Sequence, residues 1–153
     1  MFFGWDKSEK NRQRRSRTVR SVLVVEDEPL LAFDTEYALT QAGYRVVATV
    51  DDFDHAALVI ERKKIDLIIA DVGLRGDRSG LDVARHAHTI GLPVLLVTGA
   101  CPIDAWPMAV GCLAKPYVPR DLLAAIAVVD ATLRGAPSPP RPPGLHLFQQ
   151  DAA

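Results

Sequence analysis

Cysteine is nearly absent from this sequence: Cys101 and Cys112 are the only two in 153 residues. Two thiols are too few for a disulfide framework, and their spacing fits no metal-ligand motif. Reduced thiols in the cytosol are the simpler expectation. Long apolar runs are also missing, since none reaches the length of about 18–20 residues that a membrane span needs. The opening Met1-Phe2-Phe3-Gly4-Trp5 precedes the basic stretch, the reverse of a signal peptide's order, and is too short for an export segment. The expectation is a cytoplasmic protein without export. An excess of charge of one sign is lacking too, with 18 Lys and Arg against 19 Asp and Glu and a net of −1.

What is present is unevenly placed. Residues 1–20 hold Lys7, Lys10, Arg12, Arg14, Arg15, Arg17 and Arg20 against only Asp6 and Glu9. The remainder carries 11 basic and 17 acidic side chains, a net of −6. An acidic body with a basic arm is two objects. Hydrophobic residues make up 48% of the chain and charged residues 24%, the balance of a globular protein large enough to fold without staples. Residues 1–20 show no apolar period and read as a flexible arm. Residues 135–153 include Ala136-Pro137-Ser138-Pro139-Pro140-Arg141-Pro142-Pro143, whose prolines predict a flexible, extended and partly polyproline tail. That leaves residues 21–134 as one domain.

Within the body the apolar pattern alternates. Val22-Leu23-Val24-Val25 is a continuous β-branched run, the mark of a strand covered on both faces. Residues 29–42 follow as a helix, opened by Pro29 and stopped by Gly43, with Leu30, Phe33, Tyr37 and Ala38 at helical spacing. Strands are predicted next at 46–50, 65–70, 94–97 and 112–114, and helices at about 53–63, 80–90 and 119–133. Between Thr98 and Gly111, Pro102 and Pro107 leave room only for a short or irregular helical element. Five strands alternating with five helical segments imply a parallel sheet with helices on both faces.

In such a sheet, ligands bind beyond the carboxyl ends of the strands. The first strand ends in Glu26-Asp27-Glu28, the third in Asp71, the fourth in Thr98 and the fifth in Lys115-Pro116. Singly, each has a bland reading as a turn residue, a helix cap or a surface charge. Together they place like-charged groups side by side, which costs stability unless a cation joins them. All-oxygen ligands suit Mg²⁺. A carboxylate can also serve as a nucleophile and form an aspartyl phosphate, with Lys115 pairing to the phosphoryl group as a point charge.

These residues resemble the receiver domain of two-component response regulators, the CheY-like module. The resemblance runs from about Ser21 to Leu133. It rests on Val-Leu-Val-Val-Glu-Asp-Glu-Pro at 22–29, Asp-Leu-Ile-Ile-Ala-Asp at 66–71, Gly80-Leu81, Val-Thr-Gly at 97–99 and Lys115-Pro116. It implies a flavodoxin-like (βα)5 fold with parallel strands in the order 2-1-3-4-5. It also implies phosphoryl transfer from a sensor histidine kinase or histidine phosphotransfer protein onto Asp71. By the same resemblance, Glu26, Asp27 and Asp71 hold Mg²⁺ with the Gly73 carbonyl, Thr98 is the switch hydroxyl, Lys115 contacts the phosphate, and Lys115-Pro116 is a candidate cis bond.

The sequence departs from the family's pattern in three places. Glu26 stands where an Asp is commoner, the loop at 73–79 lacks a frequent Pro, and Cys112 stands where a switching aromatic is usual. The protein is expected to be a signalling component, not an enzyme, and to act by protein contact, since residues 134–153 are too short and proline-rich for an output module. Tyr117 is either an exposed contact residue or a half-buried packing residue, and Leu145-His146-Leu147-Phe148 is a short patch able to dock. Binding of nucleic acid or of a membrane surface by the basic arm is the lesser reading. The alternatives are a pseudo-receiver acting as an unphosphorylated interaction module, a flavodoxin-like cofactor binder and a small phosphohydrolase. The acidic loop after the first strand opposes the cofactor binder; a missing Asp-x-Asp opposes the phosphohydrolase.

Overall fold

The computed structural model describes residues 17–102, 105 and 107–148. The basic arm up to residue 16 and the tail beyond residue 148 lie outside the described residues, so the readings placed on them find no structural counterpart. Six strands, β1 (Ser21–Val25), β2 (Arg45–Val50), β3 (Leu67–Asp71), β4 (Val94–Thr98), β5 (Gly111–Ala114) and β6 (Leu145–Leu147), form one sheet in the order β2-β1-β3-β4-β5-β6. The first five are parallel, in the flavodoxin-like order, and β6 joins the edge antiparallel to β5. Four α-helices are present among the described residues: α1 (Pro29–Gln41), α2 (Phe53–Arg62), α3 (Gly80–Thr89) and α4 (Pro119–Leu133).

Strand side chains alternate between two cores, as the period of two requires. Val22, Val24, Leu67, Ile69, Leu95 and Val97 face α1 and α4, meeting Leu39, Leu122, Ile126 and Val129. Leu23, Val25, Ile68, Ala70, Val94 and Leu96 face the other way, meeting Ala56 and Ile60 of α2 and Val83, Ala84 and Ala87 of α3. Burial on both faces is why these strands read as continuous apolar runs.

Short-range chemistry fixes where the helices begin. The Glu28 carboxylate accepts from the Leu31 amide, Asp52 accepts from the His55 amide, and Ser79 with Asp82 closes a capping box at α3. At α3 the first residue must be glycine. A β-carbon on Gly80 would lie 2.1 Å from the Asp71 carbonyl oxygen, so its absence lets the helix start directly behind the end of β3.

Several expectations are corrected. The Leu30, Phe33 and Tyr37 stripe of α1 faces solvent at 75%, 66% and 60% exposure, and Ala32, Thr35 and Leu39 are the residues it buries. The helix packs through Leu39 and two smaller residues, leaving Leu30 and both aromatics outside. Residues 17–20, assigned to a flexible arm, are docked on the body. Val19 is buried, the backbone amides of Thr18 and Val19 and the Thr18 hydroxyl donate to Asp130 of α4, and the Arg17 guanidinium lies over the Tyr44 ring.

The tail is not flexible throughout either, because Leu145 and Phe148 are buried and β6 pairs with β5. Its prolines span the turn back, and the apolar patch that follows covers an edge left open by five strands. As expected of the proline-interrupted stretch between β4 and β5, its described residues form no α-helix. Finally, Cys101 and Cys112 are not free thiols but form a disulfide. Strand pairing brings the second residue of β5 against the segment leaving β4, a neighbourhood that sequence spacing does not disclose.

Candidate functional site

The carboxyl ends of β1, β3, β4 and β5 converge at one edge. Register pairs Val25 with Ala70, so the next residues, Glu26 and Asp71, emerge side by side. The Glu26 amide donates to the Val50 carbonyl at 2.8 Å, which fixes the turn out of β1. Carboxylate oxygens of Glu26, Asp27 and Asp71 lie within 4.8 Å of one another. Lys115 reaches across from the end of β5, its Nζ 2.9 Å from Glu26 Oε1 and 3.2 Å from Asp71 Oδ2. Its amide donates to the Thr98 carbonyl at 2.8 Å, which ties the lysine to β4.

The cluster is electrostatically tense. Glu26 is only 6% exposed. Burial raises its pKa above the ordinary carboxylate value and the Asp71 charge adds to that, while hydrogen bonds from Lys115 and from the Glu28 amide oppose the shift. Burial works against the Lys115 ammonium as well, but the hydrogen bond to Glu26 and the negative charges of Glu26 and Asp71 outweigh it and raise its pKa. One ammonium set against three carboxylates leaves an excess of negative charge that a hard divalent cation would balance. The donor set is oxygen alone, which fits Mg²⁺ and not a thiolate- or imidazole-seeking metal.

The other residues singled out in the sequence lie around this centre. Gly73 follows Asp71 by two residues, its amide donating to Asp71 Oδ1 at 3.2 Å. Thr98 ends β4, and its Oγ1 accepts from the Ala100 amide at 3.3 Å, turned toward its own loop. The Lys115–Pro116 bond is cis. Tyr117 takes the packing role: it is half-buried against the α1–α4 core, its hydroxyl 3.4 Å from Thr35 Oγ1, and burial raises its pKa. Glu28, the third acid of the run, caps α1 and stands outside the carboxylate cluster.

Sequence reasoning missed the direct Lys115–Glu26 contact, for which the longer glutamate arm was the available sign. It also missed Arg75 and His55, which with Asp27, Thr49 and Asp51 line a cleft of about 390 Å³ beside Glu26.

Four strand ends carrying this set of groups on a five-strand parallel core leave few candidate families. A model described as the response regulator receiver domain matches residues 22–127. The chain belongs to the response-regulator receiver family. Among curated proteins it is 30% identical over 125 residues to the phyllosphere-induced regulator PhyR of Methylorubrum extorquens, covering 78% of this chain and 46% of that protein. It is 31% identical over 121 residues to the transcriptional regulatory protein PdtaR of Mycobacterium tuberculosis, covering 75% of this chain and 58% of that one. The receiver thus spans about half the length of these relatives, both of which are named as regulators.

Among solved structures, a CheY-like receiver domain protein from Methanospirillum hungatei superposes with a TM-score of 0.68 at 24% identity, over 77% of this chain and 98% of that one. PhyR from Brucella abortus superposes at 0.58 with 27% identity, over 74% and 48%. No helix among the described residues of this receiver is long and apolar enough to cross a membrane.

Proposed function

We propose that this receiver accepts a phosphoryl group on Asp71 with Mg²⁺ and signals through the loops that follow β3 and β4. The observation that carries the reading is the meeting of Glu26, Asp27 and Asp71 around the Lys115 ammonium. Asp27 and Asp71 would hold the cation directly, Glu26 through water, and the Gly73 carbonyl would complete the protein's share. When bound, Mg²⁺ offsets charge on the transferring phosphoryl group.

The Asp71 carboxylate oxygen attacks phosphorus of a phosphohistidine, the P–N bond breaks, and the released imidazole takes a proton. Lys115 pairs with the phosphoryl oxygens as they leave the donor. The new acceptor oxygens then draw the Thr98 hydroxyl away from the Ala100 amide, and the β4–β5 segment follows.

The donor would be a sensor histidine kinase or a histidine phosphotransfer protein in the cytoplasm. α1 leaves the acidic loop directly, so its exposed Leu30, Phe33 and Tyr37 are the apolar surface closest along the chain to Asp27 and would seat that donor. Cys112 and its disulfide favour one second reading, a pseudo-receiver whose contacts need no phosphate.

Incubation with acetyl phosphate and Mg²⁺ separates the two. The expected result is a mass gain of one phosphoryl group, absent with EDTA and in Asp71→Asn. A wild type that gains nothing points to the pseudo-receiver.

A further inference from the structure

The disulfide joins two places that matter to each other. Cys101 lies three residues beyond Thr98 and directly after Ala100, whose amide the Thr98 hydroxyl holds at 3.3 Å. Cys112 lies inside β5, fully buried, with Leu96 of β4 as its register partner. The bond therefore fastens the first residues after the switch hydroxyl to a strand paired on both sides. It is not needed to place that strand, because β5 is already paired with β4 along its length and with β6 on its other side.

Cys101 is half-buried, packed against the core beside exposed Ala100, whereas Cys112 is fully buried, so Cys101 is the less buried residue of the pair. No third cysteine exists for exchange to reach. Disulfides outside oxidising compartments are mostly transient or redox-sensing.

We propose that Cys101 and Cys112 are a reversible dithiol–disulfide site that clamps the segment leaving β4. The oxidant is a low-molecular-weight disulfide of the glutathione class. The Cys101 thiolate attacks it and expels one thiolate, giving a mixed disulfide on Cys101. The Cys112 thiolate then attacks the Cys101 sulfur and expels the second. The two cysteine protons end on the two released thiolates, so one external disulfide is reduced to two thiols as one internal disulfide forms. In the closed form Ala100 cannot follow Thr98; in the dithiol form it can. The second half of this claim rests on Asp71 phosphorylation, whereas the clamp itself does not.

The test uses the full chain, reduced and then equilibrated with oxidised glutathione. Closure should remove two hydrogens from the mass and both alkylatable thiols, with no glutathione retained. By amide exchange, Ala100, Ala109 and Val110 should open about tenfold more slowly in the disulfide form. Cys101→Ser should show the faster rates under both conditions, with cooperative unfolding like that of the reduced wild type. Retained glutathione, or equal exchange rates in the two forms, overturns the clamp.

Adding acetyl phosphate and Mg²⁺ should label both forms equally but change Ala100 exchange only in the dithiol form. Equal responses in labelled protein overturn the control of the switch. Failure of both forms to take a phosphoryl group overturns the Asp71 reading instead, and the clamp is then decided by the unphosphorylated rates.

Discussion

Glu26 has one methylene more than the aspartate usual at its position, and that methylene decides what it touches. The carboxylate extends to the Lys115 ammonium at 2.9 Å while still facing Asp71, so one residue both relieves and creates charge stress. Its pKa lies above the ordinary carboxylate value, so its protonated form favours the fold and that contribution is lost as pH rises through the folded-state value. Glu26→Gln should therefore stabilise the metal-free protein at neutral pH by a few tenths to about 1 kcal/mol, the scale of a like-charge pair across adjacent strands. The same change should weaken Mg²⁺ binding in calorimetry. A less stable variant with unchanged affinity would contradict this account of Glu26.

His55 and Asp52 give a second residue-scale prediction. The Asp52 carboxylate accepts from the His55 amide and ring, which lowers the Asp52 pKa and raises that of His55. The histidine's contribution is complete below the free value of about 6.5 and fades as pH rises through the elevated one. The aspartate's is complete above its ordinary value and fades as pH falls. The start of α2 should be firmest between the two. An NMR titration should place His55 above the free value and return it in Asp52→Asn; no change in that variant would contradict the pairing. At this scale the sequence disclosed Glu26, Asp27, Asp71 and Lys115, because each stands at or just beyond the carboxyl end of an apolar strand. The contacts between them depend on side-chain reach and on register, which no local pattern carries.

Among the elements, α1 is where periodicity misleads. Leu30, Phe33 and Tyr37 have the spacing of a buried face, yet Phe33 and Tyr37 stack on each other in solvent while Ala32, Thr35 and Leu39 meet the sheet. Spacing identifies a face but not what covers it. The buried face mixes Leu39 with the small Ala32 and Thr35, which a search for large apolar residues alone overlooks. If the exposed face seats a phosphoryl donor protein, Leu30→Ala with Phe33→Ala should slow transfer from a phosphorylated histidine phosphotransfer protein by about tenfold or more. Labelling by acetyl phosphate should be unaffected. Equal slowing with both donors would place the defect in the site rather than in docking.

In the whole molecule, the parallel core was legible because five apolar runs in alternation with helices allow few topologies. Its additions were not. β6 is three residues long and follows a proline-rich stretch, so only the open edge of β5 accounts for its pairing. A chain ending at Gly144 should lose the burial of Leu145 and Phe148, about 1.5–3 kcal/mol for each side chain. It should also self-associate in sedimentation through the bared edge. A truncated chain that is monomeric and equally stable would show that β6 contributes nothing to the fold.

The central claim concerns where the phosphoryl group goes. The most direct measurement is peptide mapping of the protein after acetyl phosphate and Mg²⁺, run beside Asp71→Asn. The expected result is one phosphoryl group per chain, on the peptide that contains Asp71, and none in the variant. A group found elsewhere, or retained in Asp71→Asn, would contradict the account.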